Sequence, residues 1–171
     1  MIIVTDVGQH QMWTGQYYPV DFPRTFITSG GLGTMGYGLP AAIGVKLANP
    51  KREVLLVTGD GSFQMSLPEL ATVVQEGLSI KILIMNNQRL GMVRELQQQQ
   101  CGGRYFAVEM RGNPDFVKLA EAYGIQGFRV ESPEDVTESL RKMLDCRESI
   151  LGDFRIHPDA NVTPLRKDER S

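Results

Sequence analysis

The chain has 171 residues and a formal net charge of -2, enough for one domain with a real core and too few for two comfortable ones. Hydrophobic residues make up 42% and charged residues 22%, an ordinary globular composition whose near-neutral balance offers neither nucleic acid nor an acidic membrane a basic surface. Cys101 and Cys146 show no metal-ligand spacing, no apolar run reaches membrane-spanning length, and the start "MIIVTDVGQHQ" is no signal peptide, so the expectation is a soluble cytoplasmic domain in a reducing compartment.

In chain order, short β-rich runs alternate with helical ones. Residues 2–8 and 24–28 read as strands, and "GGLGTMGYGLPAAIGVKLANP" begins Gly-rich and turns helical before Pro50. The runs 53–61 and 80–87 are near-continuously apolar and end in polar residues, as strands covered on both faces of a parallel sheet do. Between them Ser66 and Glu69 suggest a capping box, with Pro68 in the first turn. Leu67, Leu70, Val73 and Val74 then share a face that Gly77 closes. Asn113-Pro114 opens a helix of Phe116, Leu119, Ala120 and Tyr123 that stops at Gly124, and Ser132-Pro133 opens one of Val136, Leu140, Met143 and Leu144. Residues 127–130 and 149–156 supply two further strands. The stretch 94–112 has no clean period, and its end reads as a mobile loop. The expected fold is a three-layer α/β/α domain over residues 1–158, with a mainly parallel sheet of about six strands and a polar tail from 159 to 171.

In open α/β sheets, ligands bind at the carboxyl ends of strands. Asp60, in "GDG", and Asn87, in "NN", both stand there, each after an apolar run. One carboxylate and one amide oxygen, completed by water and phosphate oxygens, suit Mg²⁺. Gly61 and Ser62 offer unhindered N–H groups and a hydroxyl to a diphosphate. Taken alone, GDG is a turn and NN a loop start. A competing motif is "GLGTMG" (31–36), which satisfies the dinucleotide-binding pattern G-x-G-x-x-G with Asp60 as a late acid. It follows a short strand and accounts for neither Asn86-Asn87 nor the glycines flanking Asp60.

The spacing of Gly59-Asp60-Gly61 and, roughly 25 residues later, Asn86-Asn87 resembles the thiamine diphosphate motif. With "VTDVGQHQMW", "GGLGTMGYGLPAAIG", "GDGSFQMSLPELAT" and "NNQRLGMVRE" in that order, the chain resembles the C-terminal diphosphate-binding domain of the acetolactate synthase (acetohydroxyacid synthase) large subunit. The resemblance implies that Asp60, the Asn87 side chain and the Arg89 backbone carbonyl ligate Mg²⁺. It implies that Gly8, Gln9, His10, Gly61 and Ser62 hold the diphosphate, that Gly33 and Met35 meet the aminopyrimidine, and that Met92 lies near the thiazolium and substrate.

The implied reaction is decarboxylation of pyruvate and carboligation to a second 2-keto acid, in branched-chain amino acid biosynthesis. The activating glutamate belongs to a pyrimidine-binding domain outside these residues, so no catalytic residue is expected in this chain and the isolated chain is expected to be inactive. The pyrimidine domain or subunit is the implied partner, with a homo-oligomer, and FAD belongs to the full-length enzyme's middle domain. No helix precedes the first strand, which points to a fragment or split gene. The β subunit of a two-chain 2-keto acid decarboxylase is the alternative, and a non-catalytic cofactor-binding or oligomerising domain another. Two positions depart from the family. Leu96 stands where many members have a Trp in the substrate wall, which leaves the second keto acid open, since pocket discrimination of one methylene is worth only about 1–3 kcal/mol. Gly152 and Asp153 are expected to weaken the last strand and loosen that edge of the sheet.

Overall fold

The computed structural model describes residues 1–162. In chain order the elements are β1 (Ile2–Thr5), α1 (Gln9–Tyr17), β2 (Phe26–Thr28), α2 (Gly38–Ala48), β3 (Val54–Gly59), α3 (Asp60–Gln64), α4 (Leu70–Gln75), β4 (Lys81–Asn86), α5 (Gly91–Gln100), α6 (Phe116–Ala122), β5 (Gln126–Val130), α7 (Val136–Asp145) and β6 (Ile150–Arg155). The six strands form one sheet in the order β2-β1-β3-β4-β6-β5, parallel throughout. The chain moves outward from β1 to β2, then returns across β1 to β3. The carboxyl ends of β1 and β3 therefore flank a topological switch point, where ligands of such sheets bind.

Alternation along the strands feeds two cores. Val4, Val54, Leu56, Ile82 and Ile84 face α2, α3, α4 and α6, whereas Ile3, Leu55, Val57 and Phe154 pack with α7 and with Tyr18 after α1. This gives the three layers anticipated from the sequence. Gly77 (φ 57) ends α4 as expected: its N–H reaches Val74 O and that of Leu78 reaches Val73 O, a Schellman closure. Gly124 closes α6 in the same way.

Other local expectations need correction. Ser66 and Glu69 make no capping box: a 3-10 turn occupies Leu67–Glu69, the Ser66 hydroxyl is buried without a partner, and Glu69 instead accepts from Thr72 Oγ1. Val74 and Leu144 turn outward, 48% and 41% exposed. Asp115, not Asn113, caps α6 by accepting from the N–H groups of Val117 and Lys118. The helix α5 takes in the first part, residues 94–100, of the stretch read as patternless. The chain beyond it returns in register, with Leu90 N–H bonded to Val108 O and Met110 N–H to Gln88 O.

The last strand is not a loose edge. β6 lies between β4 and β5, buried from Ile150 to Phe154. A Cβ on Gly152 would meet the Phe154 ring at 2.6 Å and Met143 Cε at 2.8 Å, so the glycine makes room for two core side chains. Gly152→Ala is expected to cost about 1–3 kcal/mol through overpacking, read as a lower urea midpoint at unchanged slope. Asp153 is 0% exposed yet tied to Asn86 and Arg129, which removes the penalty of an unpaired buried carboxylate.

Candidate functional site

A cavity of about 220 Å³ opens at the switch point, walled by the first residues of α1, α3 and α5 together with Gly33, Met35, Asn87 and Arg89. Helix first turns carry N–H groups without intrahelical acceptors and the positive end of the helix dipole, so this wall favours an anion.

Asp60, 2% exposed, opens α3 at the end of β3. Its Oδ2 accepts from Asn113 Nδ2 at 2.6 Å. Burial pushes its pKa above the ordinary value, against hydrogen bonds from Asn113 and from the backbone of Asp60, Gly61 and Gln88. Asn87 lies in the turn after β4, where its Oδ1 accepts the Arg89 N–H at 3.0 Å and its Nδ2 donates to Gln9 Oε1 at 2.9 Å. A Cβ on Gly91 would fall 1.8 Å from that same Gln9 oxygen, so a larger residue there would displace the Gln9 side chain from Asn87. Carboxylate, amide and carbonyl oxygens with one formal charge suit a hard cation whose shell phosphate oxygens complete.

His10, 5% exposed, is the residue whose chemistry fits a ligand most clearly. Its Nε2 is buried with no hydrogen-bond partner. Burial lowers its pKa to about 3, against a raising contribution from the Asp6 backbone, so the ring is neutral at pH 7. Ser62 is almost fully buried, its hydroxyl within 3.3 Å of Thr58 Oγ1 and of the backbone N–H and carbonyl of Gly59. Gln9 gives its side chain to protein: Asn87 on one side, and Glu95 and the Ala160 carbonyl on the other. What Gln9 offers the cavity is its backbone N–H at the start of α1.

The structure thus brings Gly8, Gln9, His10, Gly33, Met35, Asp60, Gly61, Ser62, Asn87, Arg89 and Met92 around one cavity. Leu96 is not among the lining residues; it lies further along α5, 47% exposed. Residues 159–162, read as the start of a polar tail, dock beside the site: Asp159 pairs with Arg89 and Arg94, and Val162 N–H reaches Glu95. Residues 163–171 of that tail lie outside the described residues.

Asn113 and Asp6 escape a motif search, since each touches the site only through the fold. Asp6, 0% exposed, accepts from the N–H groups of Val7, Gly36 and Gly38 at 2.8, 3.0 and 2.9 Å. It fastens the glycine loop carrying Gly33 and Met35 to the end of β1. Asp6→Ala strands these donors and is expected to cost on the order of 3 kcal/mol, each buried unpaired group being worth about 1–3 kcal/mol; urea unfolding reads the loss. The glycine loop does not make a dinucleotide site. β1 lies between β2 and β3, so Asp60 stands two strands from the loop rather than on the adjacent strand, as that fingerprint requires.

Residues 6–153 match the model of the family described as "Thiamine pyrophosphate enzyme, C-terminal TPP binding domain". The chain belongs to this family. Among individual proteins, this TPP-binding domain is 53% identical over 167 residues to the acetolactate synthase large subunit of Buchnera aphidicola subsp. Acyrthosiphon pisum. It is 47% identical over 162 residues to the probable acetolactate synthase large subunit of Methanococcus aeolicus. It is 46% identical over 165 residues to the mitochondrial acetolactate synthase catalytic subunit of Saccharomyces cerevisiae. These alignments take in 96%, 95% and 96% of the chain but only 29%, 27% and 24% of the respective relatives. The chain spans less than a third of the length of these relatives. Among the described residues, no helix is long and apolar enough to cross a membrane.

Proposed function

We propose that the chain is the Mg²⁺ and thiamine diphosphate anchor of an acetolactate synthase-like enzyme acting on pyruvate and a second 2-keto acid. One observation carries the reading. A single cavity joins the oxygen donors Asp60 and Asn87 to a wall of helix first turns that ends in the unpartnered His10 Nε2. Family membership and the names of the relatives support it.

In this reading Asp60, Asn87 Oδ1 and the Arg89 carbonyl hold the metal. The backbone N–H groups of Gln9, His10, Gly61 and Ser62 bind the diphosphate, and the neutral His10 ring turns its unpartnered Nε2 to it. Gly33 and Met35 meet the aminopyrimidine, and the polarisable Met35 and Met92 side chains shape an apolar wall that keeps water from the reacting end. Bound thiamine diphosphate supplies the electron sink for decarboxylation and carboligation. The protein's share here is binding and orientation. The remaining wall comes from a pyrimidine-binding domain or subunit, within a homo-oligomer.

Calorimetric titration of thiamine diphosphate into the purified chain, with Mg²⁺ and with a chelator, tests the anchor. Saturable heat only in the presence of Mg²⁺ is expected. Binding indifferent to Mg²⁺, or none at millimolar ligand, overturns the assignment to this chain.

A further inference from the structure

The turn after β4 carries two of the three oxygens assigned to the metal, and its backbone is unusual. Gln88 has φ 57, a left-handed conformation that residues with a Cβ keep only where their surroundings hold it. The bridge to Met110 holds its carbonyl side, and a line of polar groups running away from the cavity holds its N–H side. Asn86 Oδ1 takes the Gln88 N–H at 3.3 Å, while Asn86 Nδ2 donates to Asp153 Oδ1 at 2.9 Å. The other oxygen of Asp153 accepts from Arg129 Nε at 3.0 Å, and Arg129 Nη2 reaches Asp115 Oδ1 at 2.9 Å. Asp115 caps α6 two residues after Asn113, the partner of Asp60. The line starts beside Asn87 and ends two residues from the partner of Asp60.

None of Asn86, Asp115, Arg129 and Asp153 lines the cavity. A cross-strand ion pair serving stability alone needs only Asp153 and Arg129, which are register partners on β6 and β5. It does not need the second carboxylate oxygen to be spent on Asn86. That oxygen orients the Asn86 amide so that its carbonyl end meets the Gln88 N–H. The two asparagines of the NN pair then have different tasks, the second facing the site and the first fixing the turn.

We propose that Asp153, held by Arg129, is a positioning residue that sets the Asn87–Arg89 turn through Asn86. The inference rests on the metal reading given above. Groups that orient metal ligands from behind typically change affinity by about 10- to 100-fold when removed.

The test compares the wild-type chain with Asp153→Asn and Arg129→Met. Arg129 is 29% exposed and lies on the edge strand β5, so its variant keeps the test available if the other fails to fold. At saturating thiamine diphosphate and well below the thermal midpoint, the Mg²⁺ half-saturation concentration is expected to rise by about 10-fold or more. Without ligand, amide exchange at Gln88 and Arg89 is expected to quicken, with β1 and β3 unchanged. A lower midpoint with faster exchange across the whole sheet and an unchanged Mg²⁺ half-saturation overturns the proposal, because that is what a purely stabilising ion pair gives. If the wild-type chain binds nothing, the functional assignment to this chain falls. Exchange then decides: selective loss of protection at Gln88 and Arg89 supports positioning, and unchanged protection there overturns it.

Discussion

Asp60→Asn removes the Mg²⁺ dependence of thiamine diphosphate binding and raises the thermal midpoint of the metal-free chain at pH 7. Both effects follow from the same buried carboxylate. Among the described residues Asp60 is the only acidic one lining the cavity, so the variant takes away the sole formal negative charge among the assigned metal oxygens. Binding in the presence of Mg²⁺ is expected to weaken by about 100-fold or more, about 2.8 kcal/mol at 1.4 kcal/mol per factor of ten. The stability effect has the opposite sign. Burial holds the folded pKa of Asp60 above its ordinary 3.8, so its favourable contribution is complete below pH 3.8 and is lost as pH rises through the folded value. At neutral pH without metal the fold carries that cost, and an amide of the same shape relieves it. Calorimetry and a thermal melt in chelator read the two effects. Unchanged Mg²⁺ dependence removes Asp60 from the metal site, and a lower midpoint shows that its backbone hydrogen bonds outweigh the burial cost.

The parts of the fold legible in the sequence are those in which apolar side chains set the pattern. β3 and β4 stand out because both faces of each are covered, leaving continuous aliphatic runs, and α4 and α6 because a stripe of large residues meets a glycine stop. α1 was illegible for a physical reason. Its buried residues are Gln9 and His10, while Met12 and Tyr17 are 40% and 66% exposed, an inversion of the usual amphipathic order. Gln9 and His10 are buried where α1 meets the cavity and α5 rather than in the apolar core. α5 has no buried residue at all, so its glutamine-rich run offers no period. The site divides along the same line. Asp60 and Asn87 are visible as polar residues ending apolar strands, whereas Asp6, Asn113 and Asp153 act across the sheet, and only the folded chain shows their partners. Asp153 is the sharpest instance. A carboxylate in the middle of a strand reads as a defect until Arg129 and Asn86 are found beside it.

His10 makes acid stability respond to one buried ring. Its folded pKa of about 3 lies below the ordinary 6.5, so its contribution is complete above pH 6.5 and is lost as pH falls toward 3. Inside that window the slope is about 1.4 kcal/mol per pH unit, on the order of 5 kcal/mol in all. Asp6 and Asp60 have raised pKa values and slope the other way above pH 3.8, so the wild-type profile alone does not isolate the histidine. The difference between wild type and His10→Gln does. Urea midpoints measured from pH 7 to pH 3 are expected to fall more steeply for the wild type, and parallel profiles overturn the account. The ring already serves the Asp6 backbone while Nε2 has no partner, so a neutral ring donates from Nε2 to a diphosphate only as the other tautomer, giving up that backbone contact. A nearby negative charge typically raises a pKa by about 1–3 units, which from about 3 leaves the ring neutral at pH 7. Binding of thiamine diphosphate at pH 7 is therefore expected to draw well under one proton through His10, and titrations in buffers of different ionisation enthalpy measure that uptake. His10→Gln should bind more weakly with the same proton uptake. A smaller uptake in the variant than in the wild type shows instead that the bound ring is charged.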